Sequence, residues 1–390
     1  MPGRVAVSED ADRSGAVRLK KICHMSSLRD SHDLCMFQRE ARLAAGAGYD
    51  VVVVAKGDSR VDGGVQVRGV GSPPKSRLNR MLFFARKIYR AALEEDADLY
   101  LVHDPELLPY ALQLKRRGKR VVFDSHELYA LLLRTKEYLP CADLVAGVYA
   151  LFERYVVRQL DAVILPATVR GKDPFFAVSK RTVFAANYPP IDELFESYVP
   201  RDNFQPCKVC FVGTMTPDRH IENMVIAAEK AEVPLLLVGD FAPEEYGQRI
   251  RALSGWKYVD FRGRLERQAV AAVYREAAIG LCVMPDGGQY NVSDTFNMKV
   301  YDYMAMGLPV ILSDSAYARE VNARYPFARL VDPADVDAIA EAIEYLVAHP
   351  QEMASMGEAG RRAVSVEYNW GHEAKKLLAL YEALIGVPKK

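Results

Sequence analysis

NVSDTFNMKVYDYMAMGLPVILSD, residues 291–314, runs a polar loop into a helix and then into a buried strand. Asp294 and Asp302 bracket seven residues, and the helix is expected from about Asn297 to Met306. Gly307-Leu308-Pro309 ends that helix and feeds the apolar strand Val310-Ile311-Leu312. A carboxylate at a helix mouth, with unpaired N–H groups in the first turn, suits sugar hydroxyls and phosphate oxygens. Asp302 then falls close to the face of Met298 and Lys299, so one side presents a cation and an acid together. An ordinary strand–helix unit with surface acids has the same spacing, so both readings stand at this point.

Upstream of this stretch, apolar runs alternate with helical ones. Strands are expected at Lys208–Val212, Leu235–Val238, Tyr258–Phe261, Ile279–Val283 and Val310–Leu312. Helices fall near Ile221–Ala231, Glu244–Leu253, Glu266–Ala277 and Asp335–Ala348. The N-terminal half repeats the pattern. Its strands are expected at Leu19–His24, Asp50–Ala55, Leu99–His103, Arg120–Asp124 and Ala162–Leu165. Its helices lie near Leu34–Ala47, Arg77–Glu95, Leu107–Arg117 and Ala142–Gln159. Continuous apolar strands separated by helices indicate α/β architecture with parallel sheets covered on both faces. Proline-rich, aperiodic sequence from Asn187 to Pro206 reads as a linker. The expected division is a disordered tail over 1–16, a domain over 17–188, a linker over 189–206, a domain over 207–370 and a closing segment over 371–390.

Composition narrows the class. Lys+Arg and Asp+Glu are 51 each, so the chain has no net charge and nothing demands a nucleic-acid partner. No apolar run reaches the length of a membrane span, and the first residues lack the apolar core of a signal peptide. Six scattered cysteines, most within apolar runs, fit reduced, buried thiols of a cytoplasmic protein. Cys207-Lys208-Val209-Cys210 lacks a second pair or nearby histidines, which argues against a zinc or redox site. The basic amphipathic segment Lys75–Arg90 suits a sheet-covering helix with a solvated face, or contact with an anionic membrane surface.

In a parallel sheet, ligands gather beyond the carboxyl ends of the strands. There the sequence places His103-Asp104-Pro105-Glu106 and Asp124-Ser125-His126-Glu127. Asp104 and Ser125 also suit helix N-caps, and Pro105 suits a first helical turn. Gly213 follows the first strand of the second half, with Thr214 and Arg219 close behind. Gly239-Asp240 and Arg262-Gly263-Arg264 end the next two strands. Glycine at a strand end admits a close ligand, and a guanidinium suits a diphosphate. Asp286-Gly287-Gly288-Gln289-Tyr290 reads as a flexible loop, closing over a ligand or simply lying on the surface.

Tyr303-Met304-Ala305-Met306-Gly307-Leu308-Pro309-Val310-Ile311 resembles the signature of retaining, nucleotide-sugar-dependent glycosyltransferases of the GT-B fold, family 4. His103–Leu107 and Asp124–Glu127 resemble the HDPEL and DSHE segments of bacterial members. The resemblance implies two Rossmann-like, doubly wound domains facing each other across a cleft, with the last helix (about His372–Ile385) crossing back to the first. It implies a hexosyltransferase, as in polysaccharide biosynthesis, that retains anomeric configuration and needs no metal or other cofactor. The donor would be a UDP- or GDP-linked sugar. The acceptor hydroxyl would belong to a glycan, a lipid-linked saccharide or a small metabolite.

The same resemblance assigns residues. His126, Asp294 and Lys299 would be catalytic. Gly213, Thr214, Arg219, Arg262, Gly263, Thr295, Phe296, Asn297 and Asp302 would hold the donor. His103, Asp104, Ser125 and Glu127 would face the acceptor. The usual family acids are Glu, whereas Asp294 and Asp302 are each one methylene shorter; Thr214 stands where an Arg is usual, and Arg219 near a usual Lys. The polar loop Ser26–Asp33 replaces a Gly-Gly turn common in the family. The resemblance also suggests a cytoplasmic location, peripheral at the inner membrane face. Two alternatives keep the same fold: a nucleotide-sugar 2-epimerase, which needs no acceptor, and a catalytically weak sugar-nucleotide-binding relative.

Overall fold

Uninterrupted aliphatic runs such as Val51-Val52-Val53-Val54 suit strands covered on both faces, and all four of these side chains are buried. In the computed structural model, which describes residues 19–30, 33–134, 139–190, 198, 207–285 and 292–388, such runs build two sheets. The first comprises β1 (Lys21–Asp30), β2 (Asp50–Lys56), β3 (Arg60–Asp62), β4 (Val65–Gly69), β5 (Leu99–Val102), β6 (Arg120–Asp124), β7 (Ala162–Leu165) and β8 (Thr182–Phe184). Their order is β3-β4-β2-β1-β5-β6-β7-β8. The second comprises β9 (Val209–Val212), β10 (Leu235–Val238), β11 (Val259–Phe261), β12 (Ile279–Cys282), β13 (Val310–Ser313) and β14 (Ala328–Val331). Their order is β11-β10-β9-β12-β13-β14. Among the described residues, β3 with β4 is the antiparallel pair and the other strand pairs are parallel.

Each sheet grows one way from its first strand, then restarts on the other side of it, at β5 or at β12. That reversal opens a crevice beyond the strand ends. The chain is therefore two Rossmann-like, doubly wound α/β domains, and a cavity between them is lined from both.

Two apolar clusters sandwich the first sheet and one large cluster fills the second domain. The helix Trp370–Ile385 belongs to the first domain's packing: Leu377, Leu380 and Tyr381 are buried in its core, and Glu373 accepts the Ala186 N–H at 3.0 Å. The helix Met298–Ala305 is seated tightly on β12. Its Tyr303 ring lies where a Cβ on Gly280 would sit, 2.4 Å from the nearest ring atom, so glycine is needed for that approach.

Several expectations shift. β1 does not stop at His24 but runs to Asp30, with Ser26 and Ser27 buried. The polar loop is thus mostly strand, because Asp104 supplies its serines with a buried acceptor. Ser31 and His32 lie outside the described residues, as do the tail 1–16, most of the linker and the loop 286–290. The segment Leu34–Ala47 starts as a π-helical run, Leu34–Ala41, before Arg42–Gly46 turns α-helical. The strands β3, β4, β8 and β14 and the helices Tyr129–Arg134, Ala316–Arg324 and Pro350–Val366 add to the expected elements. Some are too short to show a period. The last is rich in small residues, because Gly357 and Gly360 pack against Gly307 and Met304.

Candidate active site

The second domain's site is built on a close approach of two strand ends. Gly213 follows β9 at φ 142°, and Gly239 follows β10 at φ 134°. A Cβ on Gly239 would stand 2.1 Å from the Gly213 carbonyl oxygen, so only glycine fits there. Above Gly213 two cations converge: a Cβ there would meet Arg219 Nη1 at 3.1 Å and Lys299 Nζ at 3.2 Å. The Arg219 guanidinium is held by the Thr214 carbonyl at 2.8 Å. Lys299 stands in the first turn of the helix Met298–Ala305 and is buried. Its Nζ has no hydrogen-bond partner among the described residues and lies 4.0 Å from the centre of the Phe211 ring. Burial pushes this ammonium down to about 7, Cys282 opposes the shift and Arg219 adds to it. A buried, unpartnered amine beside a guanidinium is an arrangement that suits an anion.

The two acids of the 291–314 stretch are engaged with protein donors. Asp302 is buried and takes a two-pronged contact from Arg267, at 2.6 and 3.0 Å, with the Tyr274 hydroxyl at 3.4 Å. Asp294 accepts from the Thr168 hydroxyl and from the Gly171 N–H at 2.7 Å. Its backbone N–H donates to the Thr168 carbonyl at 3.0 Å, and Val169 pairs with Ser293 in an isolated antiparallel bridge. This loop therefore clasps the first domain, and Arg39 adds a second link by pointing at Met298 Sδ, 3.6 Å away.

Across the cleft, burial has produced a chain of imidazoles. His24 Nδ1 lies 3.0 Å from His103 Nε2, and His103 Nδ1 lies 2.9 Å from His126 Nε2. All three are buried, which lowers their basicity: His24 is pushed down to about 3, and His103 and His126 fall well below the usual imidazole value. Neutral rings must then share protons in one direction along the chain. The protonation of His126 toward the cleft is set by the ring behind it. Asp124 and Glu40 stand beside these rings, both buried; burial pushes Asp124 up to about 6, and burial together with Asp124 raises Glu40 well above the usual carboxyl range. Ligand atoms of Glu40, His103, Asp124 and His126 lie within 4.8 Å of one another, close enough for a divalent cation, but both His103 nitrogens are already bonded to His24 and His126. Nothing in the local sequence pattern signals this cluster, because its members come from a helical run and two different strand ends.

The side chains of Asp104 and Ser125 do not act as N-caps. Asp104 gathers Ser26 Oγ at 2.7 Å and the Ser27 and Leu28 N–H groups at 2.6 and 3.0 Å, while Ser125 Oγ donates to the Glu127 carbonyl. Pro105 does stand in the first turn of a short 3₁₀ helix.

A cavity of about 220 Å³ joins the two halves. It brings together His126, Glu127, Arg219, Thr295, Phe296 and Asn297. Asp294, Asp302, Thr214, His103, Asp104, Ser125, Gly213 and Lys299 are outside its lining; of the two cations over Gly213, Arg219 is the one that lines it. Arg262 is committed to Asp260 and Glu276, each at 2.7 Å, and the Gly263 carbonyl accepts the Gly239 N–H at 2.8 Å. Sequence reasoning misses Asn187, Met284, Ser313 and Ser315 on the wall. The last three lie at or just past the ends of β12 and β13, so the strand-end rule could have found them; Asn187 carries no such signal.

Residues 36–169 match the family model described as "Glycosyl transferase 4-like domain", and residues 219–379 match that described as "Glycosyl transferase-like". The chain is 30% identical over 179 residues to a GDP-mannose-dependent alpha-mannosyltransferase of Mycolicibacterium smegmatis, covering 46% of this chain and 44% of that protein. It is 24% identical over 320 residues to the MMP alpha-(1->4)-mannosyltransferase of Mycolicibacterium hassiacum, covering 77% and 75%. The match thus spans less than half of the first relative's length. Among solved structures, sucrose-phosphate synthase from Thermosynechococcus elongatus superposes with a TM-score of 0.74 at 19% identity, over 94% of this chain and 99% of that one.

Proposed function

We propose that the chain, whose two domains match glycosyltransferase family models, is a GT-B glycosyltransferase of the family-4 type that transfers a sugar from a nucleotide-diphosphate sugar to an acceptor hydroxyl with retention of configuration. The observation that carries this reading is the pair of cations over Gly213, one of them a buried lysine without a partner among the described residues. Departure of a nucleoside diphosphate builds negative charge on the oxygens nearest the sugar. Lys299, Arg219 and the free N–H groups at the start of the helix Met298–Ala305 supply fixed positive potential for it. The GDP-mannose named for the first relative supports a donor of this class.

Each remaining residue has a role in this reading. His126, held by His103, orients the transferred sugar from the opposite wall. Asp302 meets the ribose hydroxyls by exchanging its contact with Arg267, and Asp294 reaches the sugar once its clasp on Thr168 and Gly171 loosens. Thr295, Phe296 and Asn297 shape the donor's seat, while Glu127 borders the acceptor path. No step in this scheme calls on a cofactor.

The test is a thermal-shift screen with UDP, GDP and their sugars, followed by analysis of the product's anomeric configuration by NMR. A stabilising nucleotide diphosphate and a product with the donor's configuration are expected. Inversion, epimerised donor with no acceptor consumed, or the same shifts in Lys299→Ala would refute the assignment.

A further inference from the structure

A second cavity, about 420 Å³, lies between the helices Tyr129–Arg134 and Ala142–Val157, behind the loop that carries His126. Leu131, Ala150, Val169 and Phe175 give it apolar walls. Glu127 and Leu128 line both this cavity and the interdomain cleft, so the two spaces meet at a shared wall. The volume lies within the range of small-molecule pockets, roughly 300–1,000 Å³. Its buried acid, Glu153, accepts the Tyr149 hydroxyl at 2.8 Å, and burial pushes its carboxyl up to about 7. Glu153 therefore adds little charge near neutrality, and the charges left in the lining are those of Glu127, Arg154, Lys172 and Asp173.

The face of the helix Ala142–Val157 turned away from the cavity is apolar too. Leu144, Val148, Leu151 and Tyr155 recur at helical spacing and are 67%, 61%, 73% and 57% exposed.

The geometry points to an acceptor that carries an alkyl chain: the chain occupies this cavity, and the acceptor's hydroxyl reaches the cleft past Glu127. This rests on the transferase reading, and it narrows the acceptor to an amphiphile. A free sugar offers nothing to the apolar part of the wall, Leu131, Ala150, Val169 and Phe175.

Isothermal titration of the full chain with octyl glucoside and with methyl glucoside, both below micelle-forming concentration, tests it; UDP and GDP are titrated on the same preparations. Octyl glucoside is expected to bind at least tenfold more tightly than methyl glucoside. Ala150→Trp, which fills the cavity, should remove that preference while nucleotide affinity stays within twofold. Leu131→Gln serves the same purpose if Ala150→Trp loses nucleotide binding and hence its fold. Equal affinity for the two glucosides, or an octyl preference that survives both variants, overturns the assignment. So does octyl binding that is lost on Leu151→Ser together with a dimer, because the stripe then holds a second copy. Octyl binding without any nucleotide binding defeats the transferase reading, and the acceptor role with it, while leaving an apolar binding cavity.

Discussion

The two walls of the cleft are built on opposite electrostatic plans. On the first domain, Asp104 has three strong donors, the three imidazoles bond in series, and Glu40 and Asp124 stand side by side behind them. That wall is polar but largely satisfied from within. On the second domain, Lys299 and Arg219 face one point, and no acceptor among the described residues bonds the Lys299 ammonium. One wall holds a ring in place; the other waits for charge. On the proposed reading, orientation and charge stabilisation are divided between the domains, so neither half would suffice alone.

The contrast breaks most sharply at Lys299. Lys299→Ala should lower kcat by roughly 10²–10³, the usual loss when one preorganised donor to a developing anion is removed, with little loss of thermal stability because the ammonium has no hydrogen bond to forfeit. Steady-state kinetics beside a melting curve checks this, and a mutant that melts earlier but turns over normally would make Lys299 a structural residue. On the opposite wall the balance should reverse. His103→Phe strands nitrogens of His24 and His126 and should cost roughly 1–3 kcal/mol of stability, measured by urea unfolding. Its effect on nucleotide affinity should be within twofold.

The pH response sharpens the comparison. Lys299 sits at about 7 instead of 10.5 in the nucleotide-free protein. Below pH 7 it already carries its proton. Above pH 7 a bound diphosphate must draw one proton from solution, so affinity should fall by about tenfold per unit. Over the same window, from 7 to 10.5, the unfolded chain binds more protons than the folded one, so this residue's contribution makes the nucleotide-free protein more stable as pH rises. Titrations at successive pH values on wild type and Lys299→Met test both signs, and a Met variant with an unchanged pH slope would assign the effect elsewhere. The smallest effect belongs to the clasp between the walls. Thr168→Val removes one hydrogen bond to Asp294 and should lower stability by about 1 kcal/mol, while KM for the donor changes if Asp294 is released toward the sugar. An unaltered KM would confine Asp294 to the clasp.

Much of this is legible in the residues. The helix Met298–Ala305 stands within one residue of its expected start and end, since Asn297 and Gly307 punctuate it locally. Gly213, Arg219 and His126 come to light at strand ends, and Lys299 in the first turn of a helix. What escapes a local reading is long-range. Asp294 and Asp302 read in sequence as a pair looking at one ligand, yet one is drawn to Thr168 and Gly171 and the other to Arg267. Glu40 and His24 show no sign of joining His126. β1 reads too short because its serines look like loop until Asp104 is seen to receive them.

The sequence by itself determined the alternation of buried strands and helices, the glycine turns and the helix mouth, because these depend on residues a few positions apart. Only the tertiary structure decided which charges are neutralised and which are left without a partner among the described residues. A carboxylate or an ammonium takes its character from whatever lies within a few ångströms, and for Asp294 that neighbour comes from 126 residues away in the chain.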